Sequence, residues 1–419
     1  MKIAFIVEFP TQFEVPFYQY VNEMLKAESL KQKAQNGGSL EYPYIKTSQA
    51  AQGFDSSFDS PDIKSGQAAF QDDVAQSDID FHVIYNNTNQ EDYHDFELGK
   101  KVGWGFNLYE GYTYFIADQN DIVNSISTIL ELEKYDYIIL NGYKNSYAGL
   151  VELCKKKHIP IALRIDAVLY NLSPLKKILN RIYLPFAYRK FNHFFAVGSE
   201  TKKYLNWLGV SNERISYFSY SVDEKWFKNE SSEQEKIAAL KEKLQIKNEK
   251  TLLSVAKFVP RESPWDILKA FKNLNDEQLV LILVGDGEER LALENYAKQM
   301  PHLKMIFVGY IPYQELPTYY GISAIFIHAA KNEPWGVSVH EALACGCTVI
   351  ASDKVGSSKD LIVEGENGFT YPSGNIEDLI KKITLSFNLN EIEKIKLNVL
   401  KLKKWGYSKM WCEIKLVKS

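Results

Sequence analysis

Short, nearly continuous apolar runs ending in a polar residue or glycine recur along the whole chain, with helical patterns between them. The first half holds "KIAFIVEF", "YDYIILNG", "IPIALRID" and "HFFAVGS". The second half holds "TLLSVAKF", "LVLILVGDG", "KMIFVGY", "AIFIHAA" and "CTVIASD". A run of this length without polar alternation is a strand buried on both faces. Strands of that kind separated by helices make parallel, doubly wound α/β sheets. There are too many for one ordinary sheet, and 419 residues at about 150 per domain allow two or three domains. Two Rossmann-like domains in tandem are therefore expected.

The boundary shows as a change in composition. From Asp223 to Lys250 the chain reads "DEKWFKNESSEQEKIAALKEKLQIKNEK", highly charged, and a strand begins directly after it. An N-terminal domain over 1–222 and a C-terminal domain over 223–398 follow, with the hinge near Val222 to Asn229. Residues 399–419 are expected to form a helix returning to the N-terminal domain. Residues 32–79, rich in Ser, Gln, Ala, Gly and Asp, have no period and read as an insertion. Open parallel sheets bind ligands at the carboxyl ends of their strands. Two facing sheets would therefore place a ligand in the cleft between them.

Composition removes several classes. A formal net charge of −4 provides no field for nucleic acid, which is not an expected partner. The four cysteines have no zinc or disulfide spacing. No run approaches the roughly 20 apolar residues of a membrane span. "MKIAFIVEFP" is too short and too acidic for a signal peptide. A cytoplasmic, reduced protein is expected. Neither domain's first strand leads into a Gly-x-Gly-x-x-Gly turn, which disfavours a dinucleotide dehydrogenase.

The chemistry concentrates in "NEPWGVSVHEALACG", residues 332–346. The segment follows the strand "AIFIHAA", turns at Trp335-Gly336, and enters a helix pattern. A helix start offers free N–H groups and a positive dipole end, where phosphate binds readily. Gly336 allows close backbone approach. Glu341 on the helix can accept hydrogen bonds from a diol such as ribose, and Glu333 before the turn can reach sugar hydroxyls. A nucleoside diphosphate sugar satisfies the whole pattern.

These residues carry a resemblance. Glu-x7-Glu around an internal glycine, followed by "EALACGCTVIASD", resembles the retaining glycosyltransferases of family 4, which have the two-domain GT-B fold. "LLSVAKFVPRESPWDILKAF", "LVGDGEER", "IFVGYIPYQELPTYY" and "VGSSKDLIVEGENGFTY" extend it through nearly all of the C-terminal half. "YSVDEKWF", "VGWGFNLYEGY" and the 141–166 segment are similar to a subgroup working in polysaccharide or glycolipid assembly.

The resemblance implies roles. Glu341 would hold the ribose, Glu333 would contact the donor sugar, and backbone N–H groups at Gly336, Val337 and Ser338 would bind the diphosphate and sugar beside Trp335. Gly309 and Tyr310 would border the base. Lys257 stands where the family has a basic residue for the diphosphate. The second basic position aligns with Glu262, a departure that Arg261 beside it would compensate. In the N-terminal half, Thr11 and Gln12 would face the cleft from the end of the first strand. Arg164 and Asp166 end another strand, where Arg164 is a candidate substrate-binding residue. Asp166 suits an acceptor or proton-handling role, and an Arg–Asp brace is the alternative.

No metal-ligand cluster appears and no Asp-x-Asp stands near the proposed donor site, so neither cofactor nor metal is expected. Leaving-group charge would be met by Lys257, Arg261 and the helix start. The resemblance implies retention, with the acceptor attacking on the leaving-group face and the departing phosphate taking the proton. The expected partners are a UDP- or GDP-sugar donor and a glycan or lipid-linked acceptor. "LSPLKKILNRIYLPFAYRKF", residues 172–191, reads either as an interfacial amphipathic helix or as a packing helix with snorkelling cations, the commoner use. The first would add peripheral contact with the inner face of a membrane. A GT-B protein that has lost catalysis and a nucleotide-sugar epimerase are the alternative functions.

Overall fold

The alternation of side chains along β1 (Lys2–Val7) assigns each residue to a face. Ile3, Phe5 and Val7 join one apolar core and Ala4 and Ile6 another, all fully buried. The computed structural model describes residues 1–8, 11, 14–35, 79–86, 94–95, 100–101, 108–118, 121–144, 147–389, 397–398 and 401–416. Gln12 and nearly all of the expected 32–79 insertion lie outside the described residues.

The remaining strands of the N-terminal half are β2 (Asp80–Tyr85), the two-residue β3 (His94–Asp95) and β4 (Lys100–Lys101), β5 (Thr113–Ile116), β6 (Tyr137–Asn141), β7 (Ile161–Ile165), β8 (His193–Ala196) and β9 (Ile215–Tyr217). Six of them join β1 in a seven-stranded sheet in the order β5-β2-β1-β6-β7-β8-β9, with every pairing parallel. β3 and β4 make a separate antiparallel ladder. The C-terminal half contributes β10 (Lys250–Val255), β11 (Leu279–Val284), β12 (Lys304–Gly309), β13 (Ile325–His328), β14 (Thr348–Ser352) and β15 (Gly368–Tyr371). They form a second all-parallel sheet in the order β12-β11-β10-β13-β14-β15. These are the two doubly wound parallel sheets expected from the apolar runs.

β5, β9 and β15 do not read as apolar runs, and all three are edge strands. An edge strand has one neighbour and less burial, so its sequence need not be apolar throughout. In β5 no residue is fully buried. Central β11, by contrast, is buried at all six positions.

One core lies on each outer face, and a third runs continuously from one sheet to the other. The connecting helix Glu224–Glu230 starts at Asp223, whose carboxylate accepts a hydrogen bond from the Trp226 N–H at 2.9 Å. Its Phe227 packs on Tyr313 and Tyr320 of the C-terminal unit. The final described helix, Tyr407–Leu416, packs on the N-terminal unit. There Tyr407 meets Phe17 and Trp411 meets Phe81 edge-on at 5.8 Å. The Met410 sulfur lies 3.2 Å from the Ser219 backbone N–H.

This helix returns across the chain to close the core under β1 and β2, and Trp411 is its largest fully buried side chain. Trp411→Ala is expected to destabilise the protein by about 3–5 kcal/mol, the range for a large aromatic removed from a packed site. Urea unfolding followed by circular dichroism measures it. A loss below about 1 kcal/mol would show that the helix is not needed to seal this core.

Candidate functional site between the two sheets

In each sheet the strand order reverses direction at one place, between β1 and β6 in the first and between β10 and β13 in the second. A cavity of about 460 Å³ lies where the carboxyl ends of these two strand pairs face each other. Thr11 and Glu14 after β1 and Asn141 at the end of β6 line it from the N-terminal side. Val255 at the end of β10 and His328 at the end of β13 line it from the other. The turn and helix of residues 333–341 form the remaining wall.

That wall is held from several directions. Gly336 caps the helix Val337–Ala344 at φ +90°, and a Cβ there would meet the Val355 side chain at 2.8 Å. Glu333 is fixed through its backbone: its N–H donates to the Lys354 carbonyl, and its carbonyl accepts from the Gly356 N–H and from the Tyr170 hydroxyl at 2.9 Å. Tyr170 belongs to the N-terminal half, so this contact ties the two units together. The Glu333 carboxylate accepts from the Trp335 N–H at 3.3 Å. Burial raises its pKa, and the nearby Glu262 adds to the shift. The His328 ring, the Trp335 N–H and Arg261 oppose it.

Glu341 is 3% exposed and lines the same cavity. Its carboxylate accepts a hydrogen bond from the buried Tyr320 hydroxyl at 2.8 Å. Burial pushes its pKa up to about 7, and the Tyr320 bond only partly offsets this. The cavity wall therefore holds a carboxyl group poised between charge states.

Val337 and Ser338 line the cavity at the helix start. Trp335 borders it, but its indole has a different task. The ring is 1% exposed, its N–H donates to the Tyr220 carbonyl at 2.9 Å, and it packs on Trp405 at 5.3 Å. Gly198 leaves room for this ring, since a Cβ there would lie 2.5 Å from it.

Arg164 corrects the sequence reading. It was expected to bind substrate, but its side chain is 1% exposed and fully engaged within the protein. Nη1 pairs with Glu14 Oε1 at 2.5 Å, Nε donates to the Phe218 carbonyl, and Nη2 donates to the Ser219 carbonyl. It is a brace, but its acid is Glu14 rather than Asp166. Asp166 is not among the residues lining the cavity, and it connects to it through Tyr220, whose hydroxyl donates to Asp166 at 3.3 Å.

Lys257 lies two residues past β10, half-buried. Gly309 ends β12 and half-exposed Tyr310 follows it, at the edge of the second sheet. None of these three lines the cavity. Arg261 Nη1 lies 2.6 Å from Glu262 and 3.7 Å from Glu333. Glu262 is turned inward and 6% exposed, with the Arg261 guanidinium beside it. Sequence spacing also revealed no metal-ligand set. The fold nevertheless brings donor atoms of Glu262, His328 and Glu333 within 4.8 Å of one another. Sequence reading missed Glu14 and His328. His328 ends a strand beside a reversal point, a position that the rule for open parallel sheets marks, and Glu14 lies in the segment that follows another such strand.

Comparison with known proteins fits this geometry. Residues 236–396 match the family described as "Glycosyl transferases group 1". An uncharacterized glycosyltransferase of Haemophilus influenzae is 25% identical over 63% of this chain and 77% of its own. The alpha-monoglucosyldiacylglycerol synthase of Acholeplasma laidlawii is 28% identical over 39% of this chain, and the alignment spans only 41% of its own length. Among solved structures, HepE of Anabaena in complex with UDP superposes with a TM-score of 0.65 at 14% identity, covering 99% of this chain and 98% of that one. The architecture is the GT-B fold: two Rossmann-like α/β units facing across a cleft.

Glu341 has a pH signature. A carboxyl group whose pKa is raised in the folded state stabilises the fold fully below its unfolded value, near 4.3. That contribution is lost as pH rises through about 7. Glu341→Gln removes the cost of ionising a buried acid. It should leave stability nearly unchanged at pH 4.5 and raise it by on the order of 3 kcal/mol at pH 8. Urea midpoints of both proteins across this range test it, and a difference independent of pH would show that Glu341 ionises without penalty.

Proposed function

We propose that this protein is a glycosyltransferase that moves a sugar from a nucleoside diphosphate donor to a glycan or lipid-linked acceptor with retention of anomeric configuration. One observation carries the reading. Both strand reversal points open on a single cavity whose wall is a glycine-capped helix start flanked by two carboxylates, Glu333 and Glu341. A helix start suits the diphosphate, and buried carboxylates suit the hydroxyls on either side of it. The group 1 match and the UDP complex of HepE support the same donor class.

In this reading Glu341 binds the ribose, the N–H groups of Val337 and Ser338 bind phosphate, and Glu333 orients the donor sugar. Arg261 meets charge that develops on the leaving diphosphate. The acceptor hydroxyl attacks on the face that the diphosphate leaves, and the departing phosphate oxygen takes its proton. No enzyme nucleophile is needed. A GT-B protein that binds the donor without transferring it is the second reading, favoured by the carboxylate of Glu262 where the family resemblance expects a base.

Calorimetry with a panel of UDP- and GDP-sugars tests the donor. Glu341→Ala should weaken binding by roughly 10- to 100-fold, the worth of a hydrogen bond to a charged group. Unchanged affinity would remove Glu341 from the site. Binding without turnover on any donor and acceptor would favour the second reading.

A lipid-linked acceptor and peripheral membrane contact form part of the proposal. On the helix Pro174–Tyr188, Leu175, Ile178, Leu179, Ile182, Tyr183 and Phe186 are each more than half exposed, at 55–66%. Their spacing of three and four makes a continuous apolar stripe facing solvent, and Lys176, Lys177, Arg181, Arg189 and Lys190 accompany it. The packing-helix reading leaves this stripe unexplained, because the buried residues of the helix are Ala187 and Tyr188. Among the described residues no helix is long and apolar enough to cross a membrane. The protein should cosediment with vesicles rich in anionic phosphatidylglycerol. Replacing Ile178, Ile182 and Phe186 with serine should reduce bound protein several-fold, and equal binding would remove the stripe from the contact.

A further inference from the structure

Three side chains from separate parts of the C-terminal unit converge beside the cavity: Glu262 after β10, His328 at the end of β13, and Glu333 before the turn. One donor atom from each lies within 4.8 Å of the other two. His328 is 5% exposed. Its Nε2 makes no hydrogen bond and faces Glu262 Oε2 at 4.0 Å, beyond hydrogen-bond reach. A buried ring nitrogen left without a partner is costly, and a partner at this position would remove the cost. Its Nδ1 lies 3.5 Å from the Ser338 hydroxyl. If Nδ1–H donates there, the Nε2 lone pair points at the two carboxylates, the tautomer that a metal-binding histidine needs.

We propose that Glu262, His328 and Glu333 form a binding site for a divalent cation of the Mn²⁺ type, with open coordination positions facing the cavity. One imidazole and two carboxylates are a mixed nitrogen and oxygen set suited to such an ion. Bonds of about 2.1 Å place three such ligand atoms about 3.0–3.6 Å from one another, so side chains whose donor atoms lie within 4.8 Å need close in by about 1 Å, within the reach of rotamer adjustment. Arg261 stands beside Glu262 and Glu333 and competes with the cation for them. The cation would supply the second positive charge that Glu262 displaced. That role rests on the nucleoside diphosphate reading, whereas the binding of the ion does not.

Titration of Mn²⁺ into the full chain, followed by electron paramagnetic resonance, tests the site. The free-ion signal should fall by one equivalent, and the bound ion should show coupling to an imidazole nitrogen. His328→Asn should abolish that coupling, and His328→Asn and Glu262→Gln should each weaken binding at least tenfold. Arg261→Ala should tighten it. Absence of bound Mn²⁺ at millimolar concentration, or binding without nitrogen coupling, would overturn the proposal, as would weaker binding in Arg261→Ala. Calorimetry with UDP alone keeps the two readings apart. Mn²⁺ bound through nitrogen without affinity for UDP retains the cation site and removes the donor reading. UDP bound with no Mn²⁺ taken up does the reverse.

Discussion

The buried guanidinium of Arg164 is the constraint on which the arrangement of the two halves depends. It sits at the end of β7 and grips the carbonyls of Phe218 and Ser219, where the chain crosses from the first sheet towards the second. Glu14 neutralises it, and the rings of Phe218 and Tyr220 lie 4.2 and 4.4 Å from the guanidinium carbon. Taking either partner from such a buried pair strands a charge and costs about 3–5 kcal/mol. The same crossing segment is held from two other sides. The Trp335 indole binds the Tyr220 carbonyl from the C-terminal unit, and Met410 meets Ser219 from the final helix. Three parts of the chain thereby hold three consecutive residues, Phe218, Ser219 and Tyr220, at the crossing between the cavity walls.

The same economy appears in the site. Trp335 uses its ring to join the units and its backbone to build the turn before the helix start. Glu14 neutralises Arg164 and lines the cavity at once. The acids around the cavity have different surroundings. Glu341 has burial and one hydroxyl donor and titrates near neutrality. Glu262 has a guanidinium at 2.6 Å. A ligand carrying phosphate and hydroxyl groups would meet a different partner at each of these positions.

Much of this was legible beforehand, for reasons that particular residues illustrate. The all-buried run of β11 reads as a central strand because a strand with two neighbours and two covered faces has no room for polar residues. β5 and β9 do not, because edge strands are freed from that requirement. The segment from Glu333 to Glu341 was legible because all its members lie on one turn and one short helix, where spacing translates directly into geometry. The stripe on the helix Pro174–Tyr188 was visible as a pattern, but whether anything covered it depended on the rest of the fold.

The sequence by itself determined two parallel doubly wound sheets and the carboxylate–turn–helix order of residues 333–341. These follow from local periodicity, turn chemistry and the continuity of apolar runs. Only the tertiary structure decided that Arg164 braces the crossing segment instead of meeting a ligand, and that Glu262 turns inward. It alone brought His328 to face Glu262 and Glu333. The contacts of Arg164 with Glu14 and Phe218, and the approach of Glu262 to His328 and Glu333, join residues about 50 to 150 positions apart, and no spacing rule along one chain encodes which distant groups a folded core will bring together.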